Sequence, residues 1–294
     1  MLKCRADCDK IIKVFYRSYI MITEKVDLYA YFDKTRPENG AGYLTVYAYD
    51  KTEGKPDRVR PAMLVIGGGG YAYVSQREKD CIAYTYLAKG YVSFVLEYSV
   101  APVKYPAQLN EGLMAMAYIR ENAEKFGVDV NHVAAIGFSA GGHLCAMLAT
   151  LSDSADAKKF MGDKVSLTRP DAVVLSYPVI SSVNKAHSSS FDNLCGDDEK
   201  LKSELSLENR VTENSSPAFI WSTVTDNCVP CENSIYYALA CKRCGVPFEL
   251  HVFAEGQHGL SLATEEVFTV NKPVQKWVKL SLTWLKGRGF EIID

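Results

Sequence analysis

The chain has 294 residues, with 33 Lys plus Arg set against 35 Asp plus Glu, and 48% of its residues are hydrophobic. A formal net charge of −2 leaves no excess of basic residues for nucleic acid or an anionic membrane surface, so neither partner is expected. No apolar run approaches the ~18 residues that a membrane-spanning helix needs, and the composition is that of a globular protein with a large core.

Met1 to Ile20 hold no signal-peptide core, because Lys10, Lys13 and Arg17 interrupt the apolar residues and Asp7 and Asp9 lie where a basic leader would be. Met21 opens Met21-Ile22-Thr23-Glu24-Lys25-Val26 and offers an alternative start. Residues 1–20 are therefore read as an appendage or an over-extended start. Residues 1–24 are set apart from one domain over 25–294. With no export signal, the expected location is the cytoplasm, where the nine cysteines stay reduced. The pairs Cys228/Cys231 and Cys241/Cys244 have zinc-like spacing, but Glu232 to Ala240 between them reads as a helix. At ~1.5 Å of rise per residue that helix puts the pairs about 14 Å apart, too far for one tetrahedral shell. No metal is expected.

In chain order, Tyr43–Tyr49 alternates and reads as an antiparallel strand at the start of a sheet. Arg60–Ile66 is a strand, followed by the loop Gly67–Gly70. A helix over Gln76–Lys89 is expected to end at Gly90, followed by a strand over Tyr91–Leu96. Pro106–Phe126 is a long helix with Gly127 past its end. His132–Phe138 is a strand, and Gly142–Ala149 a helix. Three more strands follow, at Asp171–Tyr177, Pro217–Thr223 and Phe248–Phe253, and Pro273–Leu285 is an amphipathic helix. Strands that are apolar throughout, alternating with helices, predict an α/β fold with a mostly parallel central sheet covered on both faces. Ser181–Ser216 is polar and too long for a simple connection, so a small helical cap is expected there.

Between the strand His132–Phe138 and the following helix lies Gly137-Phe138-Ser139-Ala140-Gly141-Gly142. A serine flanked by glycines two residues away on each side, at a strand-to-helix junction, is the nucleophile elbow. Its turn is so tight that only residues without side chains fit at the flanking positions. A serine hydroxyl needs a base, and the base an orienting acid, and in this arrangement acid and then histidine follow the serine. Of the five histidines, His132 precedes the elbow, His143 lies on the elbow helix, His251 is inside a strand, and His187 precedes any suitable acid. His258, in the Gly-flanked loop after the last strand, is the candidate base. Asp226, just after Pro217–Thr223, is the candidate acid. It is preferred to Asp197 and Asp198, which follow no strand, and to Glu255, which is too close to His258 along the chain. An oxyanion needs donors: the elbow supplies the Ala140 N–H, and the glycine loop after Ile66 supplies backbone that can approach a substrate. That loop lacks the G-x-G-x-x-G and G-K-[ST] patterns of phosphate binders.

Together, Gly67–Tyr71, Gly137–His143, Asp226 with Val229-Pro230, and His258-Gly259-Leu260 resemble the α/β-hydrolase esterases. Gly67 stands where the hormone-sensitive-lipase-like pattern has His. The GGGY loop with Ser-Ala-Gly-Gly-His-Leu is more similar to bacterial carbohydrate esterases of the acetyl-xylan and feruloyl type, as are Tyr98-Ser99-Val100-Ala101-Pro102 and Tyr177-Pro178-Val179-Ile180. The resemblance spans about residues 25–286. It implies Ser139 as nucleophile, His258 as base, Asp226 as its orienter, and Gly69, Gly70 and Ala140 as oxyanion donors. It also implies a short acyl ester on an imported oligosaccharide as substrate, with no metal or organic cofactor. Tyr71, Tyr98 and Tyr177 are candidates for stacking on sugar rings. Two alternatives stay open: a serine peptidase of the prolyl-oligopeptidase kind, and a catalytically silent hydrolase fold that only binds. A homo-oligomer is compatible with the sequence but not dictated by it.

Overall fold

A computed structural model describes residues 21–50 and 58–291. The proposed appendage over residues 1–20 lies outside them. Among the described residues, one eight-stranded sheet is ordered β1-β2-β4-β3-β5-β6-β7-β8. Its strands are β1 (Met21–Asp27), β2 (Tyr43–Tyr49), β3 (Arg60–Ile66), β4 (Val92–Glu97), β5 (Val128–Phe138), β6 (Ala172–Ser176), β7 (Ala218–Thr223) and β8 (Phe248–Phe253). β1 and β2, and β2 and β4, pair antiparallel, and all later pairs are parallel.

Both faces of the parallel part are dry. In β3, Leu64 and Ile66 face one core, together with Ala135, Leu175 and Ile220 of the neighbouring strands. Met63 and Val65 face the other, with Ile136, Val174 and Trp221. The continuous apolar runs exist for this reason. Each fully buried Val, Leu or Ile contributes on the order of 1.5–3 kcal/mol.

The differences from the expected elements have local causes. β1 places residues 21–24 inside the sheet and not in an appendage. It is an edge strand whose residues are mostly exposed or half-buried, so it carries little apolar signal. β5 begins at Val128, and its register with β3 shifts between Arg60 and Ala62, where Pro61 has no N–H to give the ladder. The helix expected over 106–126 is two helices, Ala107–Glu121 and Ala123–Phe126. At the break, the Asn122 side chain donates to the Tyr118 carbonyl at 2.9 Å, competing with the helical ladder. The helix expected over 76–89 is a 3-10 turn, Gln76–Glu78, then Asp80–Leu87. Lys79 between them leaves the helical region, with φ −116° and ψ −99°, and Glu78 turns inward to 3% exposure. The 181–216 excursion carries the helices Ser188–Cys195 and Glu199–Glu204 and the 3-10 turn Leu207–Asn209.

The order of strand addition reverses at β3. β4 lies on one side of it and β5 on the other, which makes the carboxyl ends of β3 and β5 the switch point of the sheet, where α/β proteins bind ligands. Parallel register pairs Ile66 with Gly137. The loops that follow, one carrying Gly67–Gly70 and the other Ser139, therefore leave the sheet side by side.

Candidate active site

Ser139 connects β5 to the helix Ala140–Leu151 with φ 52° and ψ −121°, a conformation disfavoured for any residue with a side chain. The surroundings hold it there. Its N–H donates to the Ser176 carbonyl at 3.0 Å, while its own carbonyl accepts from His143 N–H and Val179 N–H, both at 3.1 Å. The flanking glycines are required by contact: a Cβ on Gly137 would fall 2.2 Å from the Gly141 carbonyl oxygen, and one on Gly141 would fall 2.3 Å from that of Gly67.

Asp226 follows β7, and His258 lies in the loop after β8. His258 Nε2 is 2.8 Å from Ser139 Oγ, and His258 Nδ1 is 2.7 Å from Asp226 Oδ2. The other carboxylate oxygen, Oδ1, accepts the Cys228 and Val229 N–H groups, each at 2.9 Å, so all of its directions are fixed. With Nδ1 bound to the carboxylate as donor, Nε2 is left as an acceptor for the serine proton. The Asp226 side chain is 1% exposed and that of His258 is 18% exposed, so the carboxylate is sealed and the imidazole is reachable.

The glycine loop shows which of its donors are free. Its carbonyls are all held by the protein: Gly67 by Tyr98 O–H at 2.8 Å, Gly68 by Ser75 N–H at 2.9 Å and Gly69 by Ala72 N–H at 3.0 Å. The Gly70 carbonyl accepts from Asn193 Nδ2 at 2.9 Å. The Gly68 N–H is also used, donating to Glu78 Oε2 at 2.8 Å. The N–H groups of Gly69, Gly70 and Ala140 take no partner among the described residues. Ala140 opens the elbow helix, where the first-turn N–H groups are free and the helix dipole favours negative charge.

Residues 46–240 match the BD-FAE family, which is more than half of the chain. The chain belongs to that family. Among curated relatives, endo-1,4-beta-xylanase B of Butyrivibrio fibrisolvens is 39% identical over 72% of this chain, and an acetylxylan esterase of Xylanibacter ruminicola is 29% identical over 69%. The matched region spans 34% and 42% of those two proteins. An acetyl ester-xyloside bifunctional hydrolase from Caldicellulosiruptor lactoaceticus is 39% identical, with a TM-score of 0.76 over 84% of this chain and 88% of that one. A carboxylesterase from Lactobacillus plantarum is 26% identical, with a TM-score of 0.77 over 94% of this chain and 100% of the other. These structures place the chain among the α/β-hydrolases.

Within this BD-FAE chain, the three tyrosines expected to stack on sugars do not. Tyr71 and Tyr98 are 1% exposed and Tyr177 is 2% exposed, so no ring presents a free face. Their hydroxyls are engaged instead: Tyr71 with His143 Nδ1 at 2.9 Å, Tyr98 with the Gly67 carbonyl, and Tyr177 with Glu78 Oε1 at 2.7 Å. They support the loop from below. His143 is buried, and its Nε2 lies 2.9 Å from the Leu205 carbonyl, so it donates there and accepts the Tyr71 proton. Burial lowers its pKa to about 4, which keeps the ring neutral.

Of the other candidates passed over in the sequence, His132 pairs with Asp129 and His251 with Glu249, both at the surface. Asp198 caps the helix Glu199–Glu204, accepting Leu201 N–H at 2.9 Å, and Glu255 is exposed. His187 has a different position from the one its order in the chain suggested. It is half-buried beside the glycine loop, where a Cβ on Gly70 would lie 3.8 Å from its Cε1, and its Nδ1 is 2.8 Å from Ser190 Oγ. Burial and the nearby His258 lower its pKa, against an opposing pull from Asp226. Two residues with no motif also line this region, Glu78 and Asn193. Neither has a sequence signal, because a lone Glu or Asn in a helical stretch is by default a surface residue.

Proposed function

We propose that this protein is a serine esterase that removes short acyl groups, acetyl foremost, from carbohydrate. The observation that carries the reading is the unbroken hydrogen-bonded series Ser139–His258–Asp226 beside three unpartnered backbone N–H groups. Ser139 Oγ attacks the ester carbonyl as His258 Nε2 takes its proton. Asp226 holds the imidazole tautomer and stabilises the imidazolium that forms. The Gly69, Gly70 and Ala140 N–H groups receive the oxyanion. His258 then gives its proton to the leaving alcohol, and a water activated by the same imidazole releases the acid from the acyl-enzyme.

The choice of a sugar ester draws on the relatives named for acetylxylan esterase and acetyl ester-xyloside hydrolase activity. His187, on the excursion side of the glycine loop and held by Ser190, supplies a polar group suited to a hydroxylated leaving group. The reading is tested with p-nitrophenyl esters of increasing acyl length, assayed beside acetylated xylo-oligosaccharides. The expected result is the highest kcat/KM on acetyl esters and release of acetate from the sugar. Cleavage of an aminoacyl-proline amide with no ester hydrolysis would replace the esterase by the peptidase, and absence of labelling by a fluorophosphonate would leave only binding.

A further inference from the structure

Glu78 is a buried carboxylate for which the esterase mechanism has no chemical step. Its two oxygens face two different parts of the site. Oε2 accepts the Gly68 N–H at 2.8 Å, and Oε1 accepts the Tyr177 O–H at 2.7 Å. The Tyr177 oxygen in turn accepts the Ser261 N–H at 2.8 Å, and Ser261 belongs to the loop that carries His258. The Tyr177 ring also meets the His258 imidazole edge-on, with centroids 5.1 Å apart at 70°. Gly68 itself is wedged against the nucleophile: a Cβ there would fall 2.9 Å from both Ser139 Cβ and Glu78 Oε2.

One side chain therefore joins the loop after β3 to the loop after β8, elements separated by three intervening strands. The chemistry requires a carboxylate. A backbone N–H can only donate, and the Tyr177 oxygen already receives the Ser261 N–H, so its proton must also go outward to an acceptor. The two donors reach different atoms at the end of one side chain, so both atoms must be acceptors. A glutamine would turn an NH2 group toward one of them. Burial, and after it the neighbouring Glu78, hold the Tyr177 pKa well above that of an ordinary phenol, which keeps the hydroxyl a donor at any working pH.

We propose that Glu78 is a positioning residue that sets the oxyanion loop and the histidine loop in register over Ser139. By taking the Gly68 N–H out of the site, it turns the next two N–H groups, those of Gly69 and Gly70, toward the position the oxyanion occupies. Through Tyr177 it backs the face of His258 that Asp226 does not reach. The inference rests on the serine-esterase reading of the site.

The test is Glu78→Gln on p-nitrophenyl acetate, with active sites counted by fluorophosphonate labelling. Misaligned donors weaken the transition state more than the ground state. The expected result is a fall of roughly 10- to 100-fold in kcat per labelled site, with KM changed by less than about 3-fold. Tyr177→Phe keeps the bond from Gly68 to Glu78 and removes the hydroxyl that joins Glu78 Oε1 to the Ser261 N–H, so a smaller loss in kcat of about 3- to 10-fold is expected. The double variant should fall short of the product of the two losses, since the residues act through one network. A purely structural role would lower the fraction of labelled protein and leave kcat per site unchanged. That outcome in Glu78→Gln, or in Tyr177→Phe if the first variant does not fold, overturns the proposal. Wild-type protein that neither labels nor hydrolyses the ester would instead overturn the reading on which it rests.

Discussion

The two halves of the site are held in place by different means. On the side of β3 and β5, Ser139 is fixed by backbone packed against backbone, with side chains holding the glycine loop beside it. Gly137 and Gly141 have no room for a methyl group, and the strained φ of Ser139 is bound on both sides by main-chain hydrogen bonds. On the side of β7 and β8, Asp226 and His258 sit in loops beyond the strand ends, and side-chain hydrogen bonds orient them. In the proposed mechanism the nucleophile and its oxyanion donors must be placed to a fraction of an ångström, because charge develops there. The base must be able to lean between the serine and the leaving group. Rigid packing suits the first task, and a hydrogen-bonded imidazole suits the second.

This contrast can be attacked from either side. The largest effect is expected from Ser139→Ala, which removes the nucleophile: kcat on a short-chain ester should fall by roughly 10³-fold or more with the fold intact. Full activity in that variant would refute the assignment. Asp226→Asn should retain the backbone geometry but release the tautomer of His258, with a loss of about 10³- to 10⁴-fold in kcat and little change in thermal stability. An equal loss of stability would mean that the acid, too, is a packing element.

On the packed side, Gly141→Ala places a methyl carbon 2.3 and 2.4 Å from the Gly67 and Ile66 carbonyl oxygens. It should destabilise the protein by about 3 kcal/mol, read as a lower urea midpoint. If the midpoint stays where it is, the close approach is not a constraint.

The smallest effect concerns His143, which ties Tyr71 of the glycine loop to Leu205 of the excursion. Its folded pKa of about 4 lies below its ordinary 6.5. The unfolded chain therefore binds the proton more readily, and the contribution to stability is complete above pH 6.5 and is lost as pH falls toward 4. Between pH 7 and pH 4.5 the loss is on the order of 2 kcal/mol. Urea unfolding at pH 7 and pH 4.5 should show it, and His143→Gln should flatten the difference. An unchanged pH dependence in that variant would mean that other groups carry it.

Much of the fold is legible in the residues because both faces of the parallel sheet are buried, which forces long apolar runs such as Met63–Ile66 and Ala134–Ile136. β1 is not legible, since an exposed edge strand needs few apolar residues. The break at Lys79 and the split at Asn122 are also hidden, because both depend on where one polar side chain finds its partner. Tyr71, Tyr98 and Tyr177 look like binding residues by their proximity to the motifs, and burial gives them a different task. His187 is excluded by its order in the chain, yet the excursion folds back and sets it beside Gly70.

The groups that the proposed chemistry calls for, Ser139, Asp226 and His258, can be found by eye because an elbow admits only glycine at its tight positions and a nucleophile needs its acid and base at strand ends. Those are local constraints, and they leave local marks. Glu78 and Glu111 leave none. Each is an acid within a stretch of helical character, where solvent would be the default, yet each is buried: Glu111 receives Tyr29 O–H and Ser99 N–H, and Glu78 receives the donors of two loops. Each has one partner far along the chain, Tyr177 for Glu78 and Tyr29 for Glu111. Only the packing of the sheet brings those donors together, and a carboxylate can satisfy them once it has.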